Sequence, residues 1–399
     1  MEADLAGAIP AHVPQELVVD VDMYDFPAGD AQLTWSLFDR GRPLSWSPYN
    51  GGHWIATTAE TVFRFYRDVE HFSSRQIVIP KVGEEDRMVP IQIDPPLHAD
   101  YRRNILPFFD AAAVEAMSAD VRALCAEMIE EVRGLAEVEF VQAISFKFPL
   151  TVFLRMMGLP LEDRLYLRGL VERFSDTPDL SVKLAALGEL HAYIDAAVED
   201  RLANPRDDAV TTITRMRIGD RPYTKKEMRA SVHLLMTAGL DTVANMLGFI
   251  THHLAANPAQ ADFVRANLDD EAVMHRVIQE FLRRFPIVNS SRILAKDFTY
   301  EGVTMKEGDM IILPATPFNL DEARGDPAEV DFDRKSARHI TFGAGPHTCA
   351  GALLAREEIE IFLREWLTRI PSFRLDPARP PKMRALPLNA MSELWLLLE

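Results

Sequence analysis

The sequence predicts a mainly α, single-domain protein with small peripheral β-sheets. Three observations carry that prediction. Long stretches repeat their apolar residues at helical spacing, as helices that bury one face do. The alternation of strand and helix that builds a parallel sheet is missing. The length of 399 residues would allow two or three domains, but proline and glycine are scattered, and no linker, repeat or low-complexity segment stands out. The domain is therefore expected to cover 1–399.

Residues 54–57 read as a short strand and 59–66 as a helix. Asp94-Pro95-Pro96 ends an extended segment, because a residue before proline avoids the helical region, and proline then suits a first helical turn. A helix through Phe108 follows, then a long one over 111–133 and two or three more over 141–202. Residues 204–221 open on Asn204-Pro205, are polar, and read as turns. A long helix is predicted over 225–256; it is apolar nearly all round from Val232 to Ile250, which places it across the interior. Another helix covers 270–285. Residues 293–314 read as short strands around the turn Glu307-Gly308-Asp309. The last helix, 350–370, shows an apolar face that includes Leu354, Phe362 and Trp366, and 383–398 reads as a hairpin.

Net charge is −17, which argues against nucleic acid or an anionic membrane as partner. Residues 1–14 carry acids and prolines rather than a basic stretch before an apolar run, so no export signal is expected. No uninterrupted apolar span reaches membrane length. The two cysteines, Cys125 and Cys349, stand far apart and give no disulfide framework, which suits a reducing cytoplasm.

The chemistry is concentrated in a few strings. Phe342-Gly343-Ala344-Gly345-Pro346-His347-Thr348-Cys349-Ala350-Gly351 puts a lone cysteine in a glycine-rich loop just before a helix. N–H groups at a helix start favour a thiolate, and glycines let the backbone approach a flat ligand. The alternative is an inert buried thiol. Glu280 and Arg283, three apart on an apolar helix, form either a solvated pair or a buried one that needs a third partner such as Arg334. Ala238-Gly239-Leu240-Asp241-Thr242 sits inside the apolar helix. Thr242 can bond back to the Ala238 carbonyl and loosen it, and Gly239 leaves a gap in which a small ligand could lie. Asp241 there is costly without a purpose, unless it caps a broken helix. Arg102, Arg292 and His347 could hold carboxylates, though each alone reads more readily as a surface charge and gains weight only from the others.

Together these strings resemble the cytochrome P-450 superfamily of haem-thiolate monooxygenases, in order and separation, over nearly the whole chain. The bacterial camphor-hydroxylase family is the branch that looks closest, through Gly51-Gly52-His53-Trp54-Ile55-Ala56-Thr57, His71-Phe72-Ser73-Ser74, Gly239-Leu240-Asp241-Thr242-Val243 and Glu365-Trp366-Leu367-Thr368-Arg369-Ile370-Pro371. The resemblance implies about a dozen helices around haem b, with Cys349 as the iron's thiolate ligand. It places Arg102, Arg292, His347 and, less directly, His98 at the haem propionates, with Gly239 and Phe342 also against the cofactor. Glu280, Arg283 and Arg334 would form a buried network behind the cysteine loop. Asp241 and Thr242 would be the acid and alcohol that relay protons.

The implied reaction is hydroxylation of a small apolar molecule of monoterpenoid size, using O2 and two electrons. The electrons would come from a [2Fe-2S] ferredoxin fed by an NAD(P)H-dependent reductase, since the chain carries no flavin or nucleotide fingerprint and no cysteine set for a cluster. Arg334, Lys335, Arg338, His339 and Arg102 or Arg103 are the candidate docking cations. Pocket candidates are Val78, Asp86, Met88, Val89, Met236, Thr237, Val243, Val288 and Leu388. Asp86 stands where camphor hydroxylases carry a substrate-binding tyrosine, and Val78 where they carry phenylalanine, so the substrate or its pose is expected to differ from camphor. Two other readings compete: a haem-thiolate enzyme driven by peroxide, and a haem-binding sensor without turnover. The Asp241–Thr242 pair speaks against both, since neither needs a proton relay.

Overall fold

The computed structural model describes residues 7–25, 30–38, 41–83, 87–321, 328–385 and 388–399. Among them lie thirteen α-helices. The first six are α1 (Ala59–Arg67), α2 (Leu97–Ile105), α3 (Ala111–Val132), α4 (Lys147–Met157), α5 (Arg164–Ser175) and α6 (Leu180–Ala203). Then come α7 (Ala209–Thr214), α8 (Lys225–Gly239), α9 (Thr242–Ala256), α10 (Pro258–Ala266), α11 (Glu271–Arg284), α12 (Thr316–Asn319) and α13 (Ala352–Arg369). Their starts follow capping chemistry. Asp110 accepts from Ala113 N at 2.9 Å, and Asp270 from Ala272 N and Val273 N at 3.0 Å each. Thr224 and Glu227 cap α8 reciprocally.

The strands are short: β1 (Leu44–Ser47), β2 (His53–Ala56), β3 (Phe72–Ser73), β4 (Glu137–Glu139), β5 (Arg217–Ile218), β6 (Arg221–Pro222) and β7 (Ser290–Leu294). β8 (Phe298–Tyr300), β9 (Val303–Met305), β10 (Met310–Leu313), β11 (Phe373–Leu375), β12 (Lys382–Arg384), β13 (Ala390–Glu393) and β14 (Trp395–Leu398) complete them. The main sheet runs β1-β2-β10-β7-β3, parallel only between β2 and β10. β11-β14-β4 forms a second sheet, and the rest pair as hairpins.

The largest apolar cluster joins α3, α9, α11 and α13, where Phe140 stands edge-on to Trp366 at 5.2 Å. A second cluster packs α4 to α8, and a third lies under the main sheet around Trp46, Trp54, Phe65 and Phe72. The mainly α prediction with peripheral sheets holds.

Several boundaries differ. The predicted helix over 225–256 is interrupted at Leu240 and Asp241, giving α8 and α9. Its apolar run is the one stretch among the described residues long and apolar enough to cross a membrane, yet 67% of that window is buried in the fold. The polar 204–221 segment contains α7 and the β5–β6 hairpin. Asp208 starts α7 by accepting from Thr211 N at 2.7 Å, and Val210 and Ile213 anchor it in the core. A helix of six residues is too short to show a period in the sequence. α10 was likewise not anticipated, and α13 begins at Ala352, two residues later than expected. β14 leaves the terminal hairpin to join β11 and β4.

Candidate active site

The candidate residues lie on two parts of the chain, the α8–α9 junction and the loop before α13. That loop is shaped by Gly343 and Gly345, both at φ +76, a conformation an L side chain would strain. At Gly345 a Cβ would also come within 2.8 Å of the Tyr66 carbonyl, so this loop lies directly on α1. Cys349 N donates to the Phe342 carbonyl at 2.8 Å, and Thr348 Oγ1 donates to the Gly345 carbonyl at 2.8 Å. These bonds hold the sulfur two residues ahead of the N-cap of α13.

Cys349 is surface-accessible, yet burial pushes its thiol above the usual range. Both facts hold for a sulfur that faces a concavity ringed by protein. The Gly351 N–H and the charges of Arg102 and Arg356 act in the opposite direction, towards the thiolate. Cys125, by contrast, is wholly enclosed beside α13, which leaves Cys349 as the reactive thiol. Arg356 was missed by sequence reasoning. Its guanidinium lies 4.7 Å from the Phe342 ring and its Nε has no partner; the one signal was a basic residue at the fifth position of the helix after the cysteine.

Arg102, His98, His347 and Arg292 converge as expected. The His98 and His347 rings are 4.1 Å apart, and His347 feels Arg292, His98 and Arg102. Burial and those positive neighbours lower the His347 pKa to about 3. Arg292 donates to Ser290 Oγ at 2.8 Å and the Ser291 carbonyl at 2.7 Å, and lies over the Tyr66 ring at 5.4 Å. Arg102 donates to the Thr348 carbonyl. Neither arginine has an ion-pair partner among the described residues. Asp94, the acid that reaches His98 and Arg292, already accepts from Ser73 and Ser74. His98 Nε2 and both His347 nitrogens are buried without a partner. One buried and one half-buried guanidinium without ion pairs, with orphaned imidazoles beside a thiol, fit an anionic ligand. Two carboxylates on a flat, iron-bearing ring would satisfy them together. A bare ion would not, because no group of three or more His, Cys, Asp or Glu among the described residues could hold one.

Glu280 is the centre of the predicted network. Arg283 Nε donates to its Oε2 at 2.8 Å and Arg283 Nη2 to Oε1 at 2.7 Å, while Arg334 Nε and Asp331 N reach Oε1 at 3.1 and 3.0 Å. Asn319, not anticipated, extends it: its Nδ2 donates to Thr341 Oγ1 at 2.8 Å and its Oδ1 accepts from Ile340 N at 2.8 Å. The network thus fixes the start of the cysteine loop. It also takes Arg334 out of the set of docking cations. His339 leaves it too, since it bonds Gln279 and burial lowers its pKa to about 4.

At the α8–α9 junction, Thr242 Oγ1 donates to the Ala238 carbonyl at 2.9 Å, as the sequence suggested. Asp241 caps α9 through its carbonyl, which accepts from Asn245 Nδ2 at 2.9 Å, but its carboxyl makes no cap bond. Burial first, then Asp176 and Glu172, raise its pKa from 3.8 to about 7, with Arg168 opposing. Ala238, the second-to-last residue of α8, is exposed although most of that helix is buried, so the backbone is open here. Gly239 does not supply that opening. A Cβ on it would meet Phe153 of α4 at 2.3 Å, so the missing side chain makes room for a phenyl ring and not for a ligand.

The pocket candidates divide. Val288 is bridged to Leu388 and is 40% exposed, while Val243 and Leu388 each pack partly buried against the largest apolar cluster. Thr237 is partly buried and its Oγ1 has no partner. Val78 packs under α5 and α6 against Phe174 and Leu187. Met236 is 0% exposed and sits with Val89 in the α4–α8 core, so both are packing residues and not pocket walls; Met88 is also buried. Helical spacing alone could not separate the core face from the pocket face. Asp86 lies outside the described residues.

Fold and site together define a haem-thiolate enzyme. The sequence profile named Cytochrome P450 matches residues 172–389. Over 387 residues the chain is 33% identical to "Probable cytochrome P450 127A1" of Sinorhizobium fredii, covering 94% of this chain and 92% of that one. It is 28% identical to "Cytochrome P450(MEG)" of Priestia megaterium, covering 84% and 89%. The solved structure of CYP101C1 superposes with a TM-score of 0.88 at 34% identity, covering 98% of this chain and 100% of that one. CYP101J2 gives 0.88 at 32%, covering 98% and 99%. The chain belongs to the cytochrome P450 family and is a P450 monooxygenase with haem b held by a cysteine thiolate.

Proposed function

We propose that the chain hydroxylates a small apolar substrate of monoterpenoid size, with O2 and two electrons from a [2Fe-2S] ferredoxin fed by an NAD(P)H-dependent reductase. The observation that carries the relay part of this reading is a buried carboxyl, Asp241, poised near neutral pH one residue from a hydroxyl at a gap in the helix. Bound haem would supply the oxygen chemistry, inserting one atom of O2 into a C–H bond and releasing the other as water.

The chain's own residues would do the rest. Cys349 holds the iron as thiolate, with the Gly351 N–H and the charges of Arg102 and Arg356 stabilising the anion. Arg102, Arg292, His98 and His347 take the two propionates and thereby set the plane of the ring. Asp241 carries a proton at its carboxyl near neutral pH, and Thr242 Oγ1, released from the Ala238 carbonyl, hands it into the opening. Val243, Val288 and Leu388 exclude water from the substrate and orient it. The wholly apolar character of those three side chains supports an apolar substrate. Thr237, whose hydroxyl lacks a partner, could take one polar group on it. The cysteine usage suits the cytoplasm.

Thr242→Ala should keep haem and electron consumption while product per electron falls at least severalfold and peroxide rises to match. Unchanged product per electron would remove the relay. A peroxide-driven enzyme would show full turnover of wild type without ferredoxin.

A further inference from the structure

Asn245, Asn289 and Asn389 are each no more than 2% exposed. A buried amide is costly unless its polar ends are bonded, and these amides bond to separate parts of the chain. Asn245, in the first turn of α9, donates through Nδ2 to the Asp241 carbonyl at 2.9 Å and accepts at Oδ1 from Met391 N of β13 at 3.0 Å. Asn389, just before β13, donates through Nδ2 to the Pro286 carbonyl at 2.8 Å, and its backbone N–H donates to the Ile287 carbonyl at 2.8 Å. Its Oδ1 accepts from Asn289 Nδ2 at 3.4 Å, which leaves the Nδ2 end for Pro286. Two side chains, Asn245 and Asn389, thus tie together the α8–α9 junction, the stretch 286–289 ahead of β7, and the strand that follows Leu388.

The sheets do not make this connection. Among the described residues, one isolated bridge, Val288 to Leu388, joins 286–289 to the terminal segment outside any strand. A single rung specifies register weakly, and a slip by one residue would turn both side chains to the other face. Asn389 holds the carbonyls of two successive residues, which fixes the register where a ladder is missing. The same strand is pressed on α9, since a Cβ on Gly248 would come within 2.8 Å of Met391 Cβ. A displacement at Asn389 therefore reaches Met391 two residues on and, through Asn245, the Asp241 carbonyl. Buried amides linked in this way favour one arrangement over its neighbours.

We propose that Asn389 is a positioning residue that sets specificity: by clamping Pro286 and Ile287 it holds the Val288–Leu388 wall at a fixed place relative to the α8–α9 junction, and so decides how long an apolar group the site accepts. This rests on the reading above that Val288 and Leu388 face the substrate.

The probes are imidazole and 4-phenylimidazole, titrated into haem-loaded protein and followed by the Soret shift. Both ligate iron through nitrogen, and only the second carries an apolar ring that can meet a wall. The ratio of their dissociation constants therefore cancels any change at the iron or its thiolate. Asn389→Ala should shift that ratio by roughly 5-fold or more. Asn289→Ala removes the donor that orients the Asn389 amide; it should shift the ratio less, in the same direction, and it supplies the reading if Asn389→Ala does not fold. Val264→Ala, in the core beside α10, should lower stability to urea yet move the ratio less than about 2-fold. A ratio that Val288→Ala moves but neither asparagine variant does would overturn the positioning role and leave the wall in place. A ratio that Val288→Ala and Leu388→Ala also leave unchanged would remove the wall itself. An equal shift in Val264→Ala and Asn389→Ala would show general loosening and overturn the proposal.

Discussion

Replacing Asp241 by asparagine tests the central electrostatic reading without relying on turnover. The carboxyl is 8% exposed, and burial together with Asp176 and Glu172 raises its pKa from 3.8 to about 7. An acid with a higher pKa in the folded state takes up a proton on folding. Its contribution is therefore intact below about pH 4 and erodes as pH climbs to about 7. At about 1.4 kcal/mol per pH unit, the whole span is worth roughly 4 kcal/mol, and the part between pH 5 and 7 about 3 kcal/mol. Asparagine has nearly the same shape and cannot ionise. Wild type and Asp241→Asn, both haem-loaded, are unfolded in urea at pH 5 and pH 8. All other titrations, and any hydrogen bond the amide gains or loses, are common to both pH values and cancel in the double difference. The variant should gain about 3 kcal/mol on wild type between pH 5 and pH 8. An equal gap between the two proteins at both pH values would refute the claim that this carboxyl is charged at a cost in the folded state.

Two further substitutions probe the supports of the site. Glu280→Gln leaves Arg283 buried with its ion pair gone; urea unfolding should show a loss of about 3–5 kcal/mol, with weakened haem retention because the network holds Ile340 and Thr341. Gly239→Ala drives a methyl into Phe153 and should cost about 1–3 kcal/mol by the same assay. Phe153→Leu should recover part of that loss, and no recovery would show that the glycine serves something other than the phenyl ring.

The sequence was most informative where chemistry is local. The cysteine loop, the Thr242 back-bond to Ala238 and the Glu280–Arg283 pair all depend on residues within a few positions of each other, and all stand in the structure. What sequence could not deliver was direction. Met236 and Thr237 are neighbours on α8 within one apolar run; Met236 is enclosed between α4 and α8 while Thr237 is partly open. Gly239 shows the same limit, since a missing side chain looks identical whether a ligand or Phe153 fills the space. Asn319 joins the network only because α12 folds beside α11, across a separation of 36 residues from Arg283. Polar residues that act over such distances carry no period and no local signature.

The haem site is a charge problem solved in two halves. On the cysteine side, the arginines Arg102 and Arg292 have no ion-pair partner among the described residues, and His98 Nε2 and both His347 nitrogens are buried without a partner. On the opposite side, Asp241 is buried with other acids acting on it, and so holds a proton it would release in water. Each half is costly by itself. The cations are stabilised only when carboxylates arrive, so cofactor binding completes the fold energetically as well as chemically. The acid has no such rescue among the residues acting on it: Arg168, which opposes the shift, is shared with Glu172 at 2.7 Å. A cost without a structural remedy persists where the protonated group is itself of use. That asymmetry is why Asp241, more than the apolar residues around it, points to turnover in place of mere haem binding.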